Sequence, residues 1–213
     1  MIRLAANAMT TLDTMKIVLS LSEGDLSYDP FLTLLINYAS SWLERITGRS
    51  FGLRRRTEDA TGSGQQELVL AHYPIRFIHS IVDKETGATL EPDAYSITPG
   101  GEIGVVYKDS GWSRKAYPTG LVPDFVHAKR YLAVDYTAGY VLPKDVTDET
   151  NEEWILPGGL EGIVWQAAAQ ELALAESGAD GLAAFSISDV SWTFDKNPRP
   201  GWLDIIAAYK KVV

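Results

Sequence analysis

The hydrophobic period changes twice along this chain, and that change limits the folds open to it. Up to Arg49 apolar residues recur at three- and four-residue steps. From Arg54 to Pro143 they alternate and turn residues multiply, and after Pro143 the helical step returns. Helix, strand and helix in three blocks imply an α+β fold, with a small antiparallel β region inserted between helices. The expected partition is a single domain over 1–213, in which residues 10–53 plus 144–213 form a helical core and 54–143 the β insertion.

Four helices follow from period and punctuation. TLDTMKIVLSL predicts a helix near 11–21, with Thr11 as N-cap and Leu12, Met15, Val18 and Leu19 on one face. The next spans 29–47, with Asp29 as N-cap, Pro30 at the first helical position and an apolar stripe of Phe31, Leu34, Leu35, Tyr38, Trp42 and Ile46. Gly48 fits the left-handed residue that closes it. Arg49 is expected beside the last free carbonyls of that helix, and Phe51 folded back onto its end. An Ala-rich helix is expected over 160–177. The last, 201–211, places Trp202, Ile205, Ile206 and Tyr209 at i, i+3, i+4 and i+7. Between these two, Phe185–Asp195 alternates like a strand, carrying Trp192 and Phe194.

In the β region, Glu67–Leu70, a run from Ile75 through Phe77, Ile78 and Ile81 with a register shift, and Arg130–Tyr140 read as strands. Lys84–Gly87 is a hairpin signal, and a Pro-Gly-Gly turn separates Ala94–Thr98 from Glu102–Tyr107. Residues 107–129 hold no sustained period and read as a long irregular loop.

Composition excludes several classes. Lys and Arg number 19 against 28 Asp and Glu, a net charge of −9, with a sequence pI of about 4.8. A general nucleic-acid coating protein would carry a broad basic footprint instead. Nearly all of the excess lies in 141–180, which holds Lys144 and nine acids. There is no cysteine, so disulfides, thiolate catalysis and zinc–thiolate sites are ruled out. No apolar stretch approaches the ~18 residues of a membrane span, and the first residues do not read as a signal peptide. No membrane association is expected.

No catalytic constellation emerges. His72, His79 and His127 lack metal-ligand spacing. Gly62–Gly64 lacks the frame of a nucleophile elbow, and neither Gly100-Gly101 nor Gly158-Gly159 leads into a phosphate-binding Lys-Ser/Thr. The acids Asp145, Asp148, Glu149, Glu152 and Glu153 lack the alternation and central glycine of a calcium loop. The chain is therefore expected to be no enzyme and to need no cofactor or metal. The Arg54, Arg55, Arg56 triplet stands out in an acidic chain. It could meet DNA, protect a strand edge, or contact Asp148, Glu149, Glu152 and Glu153 of a neighbouring copy. On a strand, Arg54 and Arg56 point one way and Arg55 the other.

Several stretches together resemble the head-tail connector, or adaptor, proteins of tailed bacteriophages. They are TLDTMKIVLSL, then DPFLTLLINYASSWLERITGRSF with its Ala-Ser and its closing Thr47, Gly48, Arg49 and Phe51, then HYPIRFIHSI, and VDYTAGYVLP (Tyr136–Tyr140 with Pro143). The resemblance covers most of the chain and is weakest over 107–129. It implies a helical core interrupted by a small β region, and a structural role in the virion neck, with assembly in the host bacterial cytoplasm. Its implied partners are a ring of about twelve copies, the portal protein above, a stopper or tail-completion protein below, and double-stranded DNA that passes without sequence-specific binding. On this reading the C-terminal segment, with Trp192, Phe194, Trp202, Ile205, Ile206 and Tyr209, contacts the portal, or else those residues cap the subunit's own core. The alternatives are a stopper or tail-completion protein, and a DNA-packaging accessory protein.

Overall fold

A computed structural model describes residues 2–98, 103–115, 129–177 and 200–210. It is an α+β protein that divides into two compact units, residues 1–51 with 141–213, and residues 52–140.

The first unit is built from α1 (Leu12–Val18), α2 (Asp29–Thr47), α3 (Gly158–Ser177) and α4 (Pro200–Tyr209). Thr11 caps α1 as its sequence suggests, its Oγ1 accepting from the Thr14 N–H at 3.1 Å. At α2 the expectation is corrected. Tyr28 is the N-cap, with no side-chain hydrogen bond, and Asp29 is the first helical residue. The Asp29 carboxylate is engaged elsewhere, 2.7 Å from the Lys16 ammonium, which is almost fully buried and also donates to the Glu23 carbonyl.

The buried stripe of α2 is also rotated from the expected one. Leu32, Leu35, Ile36, Ala39 and Leu43 lie at or below 1% exposure, while Phe31, Leu34, Tyr38 and Ile46 are only half-buried. Helices α1, α3 and α4 all pack on α2, so it is covered on several sides and the apolar pattern alone cannot select the deepest one. Facing it, α3 buries Leu160, Ile163, Val164, Ala167, Ala168 and Leu172 at regular helical spacing. Small residues on both helices, Ala39 and Ser40 on α2 and Ala167 and Ala168 on α3, favour close approach of the backbones. A polar row on α2 holds the extended N-terminal segment. Asn37 Oδ1 accepts from the Ala5 N–H, Ser40 Oγ from the Met9 N–H, and Glu44 Oε2 from Asn7 Nδ2.

The second unit holds two three-stranded antiparallel sheets where the sequence suggests one. The strands are β1 (Arg54–Ala60), β2 (Glu67–Val69), β3 (Ile75–Asp83), β4 (Ser96–Ile97), β5 (Val105–Tyr107) and β6 (Leu132–Ala138). Their orders are β1-β6-β3 and β2-β5-β4. Strict alternation along β6 buries Leu132, Val134, Tyr136 and Ala138. With Ile75, Ile78 and Ile81 of β3, and Leu68, Val106 and Trp112, these form one core shared by both sheets. The predicted register shift in β3 is real and double, falling between Ile75 and Phe77 and between Ile78 and Ser80. The two irregularities turn a period of two into a period of three, so the three isoleucines face the core. Phe77 is thereby turned outward, at 57% exposure.

Candidate interaction surfaces

The Thr-Gly-Arg-x-Phe turn shows what each of its residues does. Thr47 Oγ1 donates back to the Leu43 carbonyl, and Gly48 closes α2 at φ 67°. Phe51 is fully buried, and its N–H donates to Glu44 Oε1. Arg49 departs from expectation. Its side chain serves α4, with Nη1 donating to the Tyr209 carbonyl at 3.2 Å. That carbonyl is at the C-terminal end of α4, where the helix dipole favours a cation. Arg49 also lies over the Phe51 ring, which meets Tyr209 edge-on.

The expected portal-contact residues that the structure describes are engaged within this chain. Trp202 is buried, meets Trp42 edge-on at 6.0 Å, and donates from Nε1 to Gln166 Oε1. Ile206 is buried too. Ile205 lies over Gly159, where an added Cβ would sit 3.7 Å from its Cγ2. Tyr209 is half-buried against Phe51. The outward face of α4 is Leu203, Asp204, Ala207 and Ala208. Trp192, Phe194 and the rest of the Phe185–Asp195 segment lie outside the described residues, as does 116–128 of the 107–129 loop.

Strand pairing splits the arginine triplet between two faces. Arg55 is on the open face and makes a two-pronged contact with Asp135 of β6, from Nε at 3.0 Å and from Nη2 at 2.5 Å. This contact holds the Asp135 carboxyl below its usual range and raises the guanidinium's. Arg56 is half-buried on the core side, directly across from Tyr136. Two residues along that side, Glu58 accepts from the buried Tyr136 hydroxyl at 2.6 Å and from the Ala71 N–H. Burial, reinforced by Glu58, pushes the Tyr136 hydroxyl far up. Arg54 is exposed at the start of the strand. The acids Asp148, Glu149, Glu152 and Glu153 are all exposed, in and beside a short 3-10 turn of the first unit. The sequence could not show that Arg55 has a partner in its own chain, because Asp135 lies 80 residues away.

Two further surfaces were missed. On the open face of β1-β6-β3, Phe77 packs edge-on against His79, centroids 4.9 Å apart, and His79 Nε2 is 2.8 Å from Thr137 Oγ1. The only signal for it was the broken alternation in IRFIHSI. The second is the corner between α1 and α2, where Ile17, Val18 and Leu26 are exposed at 69%, 37% and 68%. Among the described residues no group of three or more His, Asp or Glu is placed to hold a metal. No described helix is long and apolar enough to cross a membrane.

No protein-family model matches the sequence, and no curated protein matches it. Solved structures do. A chain in the neck of an empty gene transfer agent (GTA) particle, computed with C6 symmetry, superposes with a TM-score of 0.57 at 16% identity, over 99% of this chain and 93% of that one. A chain in the neck of the native particle, computed with C12 symmetry, gives 0.53 at 14% identity over the same shares. One in the virion of the native particle gives 0.51 at 16%. The likeness is one of fold, and it extends over essentially the whole chain.

Proposed function

We propose that this chain is a structural adaptor of a phage-like virion neck. It forms a ring below the portal, extends the channel through which DNA passes, and offers the surface on which a stopper or tail protein sits. The observation that carries the reading is the full-length fold likeness to chains of particle necks computed with C6 and C12 symmetry. The sequence resemblance to head-tail connectors leads to the same place independently. A net charge of −9 suits the role, since an acidic wall weakens the phosphate contacts that would hold DNA in the channel. Two long helices, α2 and α3, favour an adaptor over a stopper, which in such necks is shorter and mostly β.

In a ring with head-to-tail contacts each subunit presents two different patches. Charge pairing between the arginine strand and Asp148, Glu149, Glu152 and Glu153 of a neighbour belongs to this proposal, with Arg54 as its cation. Portal attachment by α4 would use its outward face around Leu203, because Trp202 and Ile206 are committed to the core. A reconstruction of the assembled virion tests the whole reading. The chain is expected as a closed ring between portal and tail, and finding it outside the neck, or in open filaments, overturns the proposal.

A further inference from the structure

The segment before α1 is held in two different ways. Ala8, Met9 and Thr10 are fully buried, and Thr10 Oγ1 donates to Glu161 Oε1 of α3 at 2.8 Å. Residues 2–7 are exposed or half-buried, and polar contacts to α2 retain them. The Asn37 amide accepts from the Ala5 N–H at 2.7 Å and donates to the Arg3 carbonyl at 2.9 Å. It thus reads main chain at alternate residues, as a neighbouring strand does. Asn7 Nδ2 donates to Glu44 Oε2 at 2.8 Å and lies 3.4 Å from Ser41 Oγ. Asn37, Ser41 and Glu44 stand at i, i+4 and i+7, on one face of the helix.

Between the two parts the chain turns at Ala6 and Asn7, where the Ala8 N–H donates to the Ala5 carbonyl at 3.0 Å. Opening this turn breaks one main-chain hydrogen bond and draws no fully buried side chain of residues 2–7 into water. Such a segment belongs to the low end of local stability. The Asn37 bonds it gives up are to main chain, and the same segment of any copy satisfies the row equally. Six extended residues reach about 20 Å, and neighbours in a ring are present at high effective concentration.

We infer that in the assembled ring residues 2–7 of each copy leave their own α2 and lie on the Asn37, Ser41 and Glu44 row of the next copy. The turn at Ala6 and Asn7 is the hinge, and Ala8–Thr10 remain as the fixed anchor. The occupant follows from contacts already made within the chain, so exchange needs no second complementary surface. Each copy gives a segment on one side and receives one on the other, as a closing ring requires. This inference rests on the ring reading above and adds to it an element that ties neighbours together.

The absence of native cysteine allows a clean test. A full-length chain carrying both Asn7→Cys and Ser41→Cys places two thiols within reach of a disulfide wherever the segment lies on the row. Oxidised as the separate chain, it is expected to run as a single chain on a denaturing gel without reductant. Oxidised after ring closure, it is expected to run as a ladder of joined chains, with either single-cysteine variant giving nothing above a dimer. A ring whose chains all run singly overturns the inference and leaves the ring reading standing. So does a chain locked by oxidation beforehand that closes rings as readily as the wild type, whose assembly is followed by mass in parallel. A wild-type chain that stays monomeric, alone and with the portal ring, overturns the ring reading and the exchange with it.

Discussion

The Arg49 guanidinium donates to the Tyr209 main-chain carbonyl across a sequence separation of 160 residues. One arginine of the turn that ends α2 thus holds the far end of α4. Replacing it by methionine keeps much of the stem over Phe51 and removes the charged donor. Hydrogen bonds of this type contribute ~1.5–3 kcal/mol. Arg49→Met is therefore expected to lower stability by about 1–3 kcal/mol and to raise amide exchange in α4 before α2. Unchanged unfolding and unchanged exchange in α4 would show that the contact carries no weight.

Trp202 and Leu203 are neighbours in sequence with opposite surroundings. Trp202→Ala empties a site against Trp42 and Gln166 and is expected to cost ~3–5 kcal/mol, in the range of large aromatic truncations. Leu203→Asp alters a residue that is 47% exposed, so stability should hold within about 0.5 kcal/mol while portal binding falls. Thermal unfolding and a portal pull-down on the two variants separate the roles. Portal binding lost by Trp202→Ala at full stability, and untouched by Leu203→Asp, would reverse the assignment.

Arg55 has its partner within the chain. Arg55→Glu should be rescued by Asp135→Arg in the same polypeptide, with little effect on folding because exposed pairs contribute little to stability. Reversing Asp148, Glu149, Glu152 and Glu153 to lysine should rescue Arg54→Glu in ring assembly and leave Arg55→Glu unimproved. Rescue of Arg55→Glu by the four reversals, with none by Asp135→Arg, contradicts the strand geometry.

Acid should loosen the turn after β3. Lys115 binds Asp83 and Glu85, Lys129 also binds Glu85, and the Lys129 N–H donates to the Lys115 carbonyl. The Lys115 ammonium, hydrogen-bonded to both carboxyls, holds them below their usual values, and they in turn raise the lysine's. For acids with depressed folded values the stabilisation is present above the ordinary carboxylate range and is lost as pH falls through the lowered ones. Protection of the Gly87 and Lys129 amides should therefore drop on acidification, and Lys115→Met should reproduce that loss at neutral pH. Equal protection factors in wild type and variant at pH 7 would exclude the clamp.

The sequence by itself determined the helices, their caps at Thr11 and Gly48, and the strand within Arg130–Tyr140. Each of these depends on residues within about four positions of one another, through a helical turn, a left-handed glycine or a two-residue pleat. Tertiary structure decided the rest. RRRTEDA is a poor strand by composition and becomes one because β6 supplies its ladder, in a register that sends Arg55 to Asp135 and Arg56 beside Tyr136. The face of α2 that lies deepest was settled by three neighbouring helices, and Phe77 was turned outward by bulges that fit three isoleucines to one core. Arg49 sits next to the carbonyls of its own helix in sequence and serves those of another, because long-range packing brings the end of α4 to it. Local chemistry fixes what an element is, whereas partners depend on register and packing between segments as far as 160 residues apart.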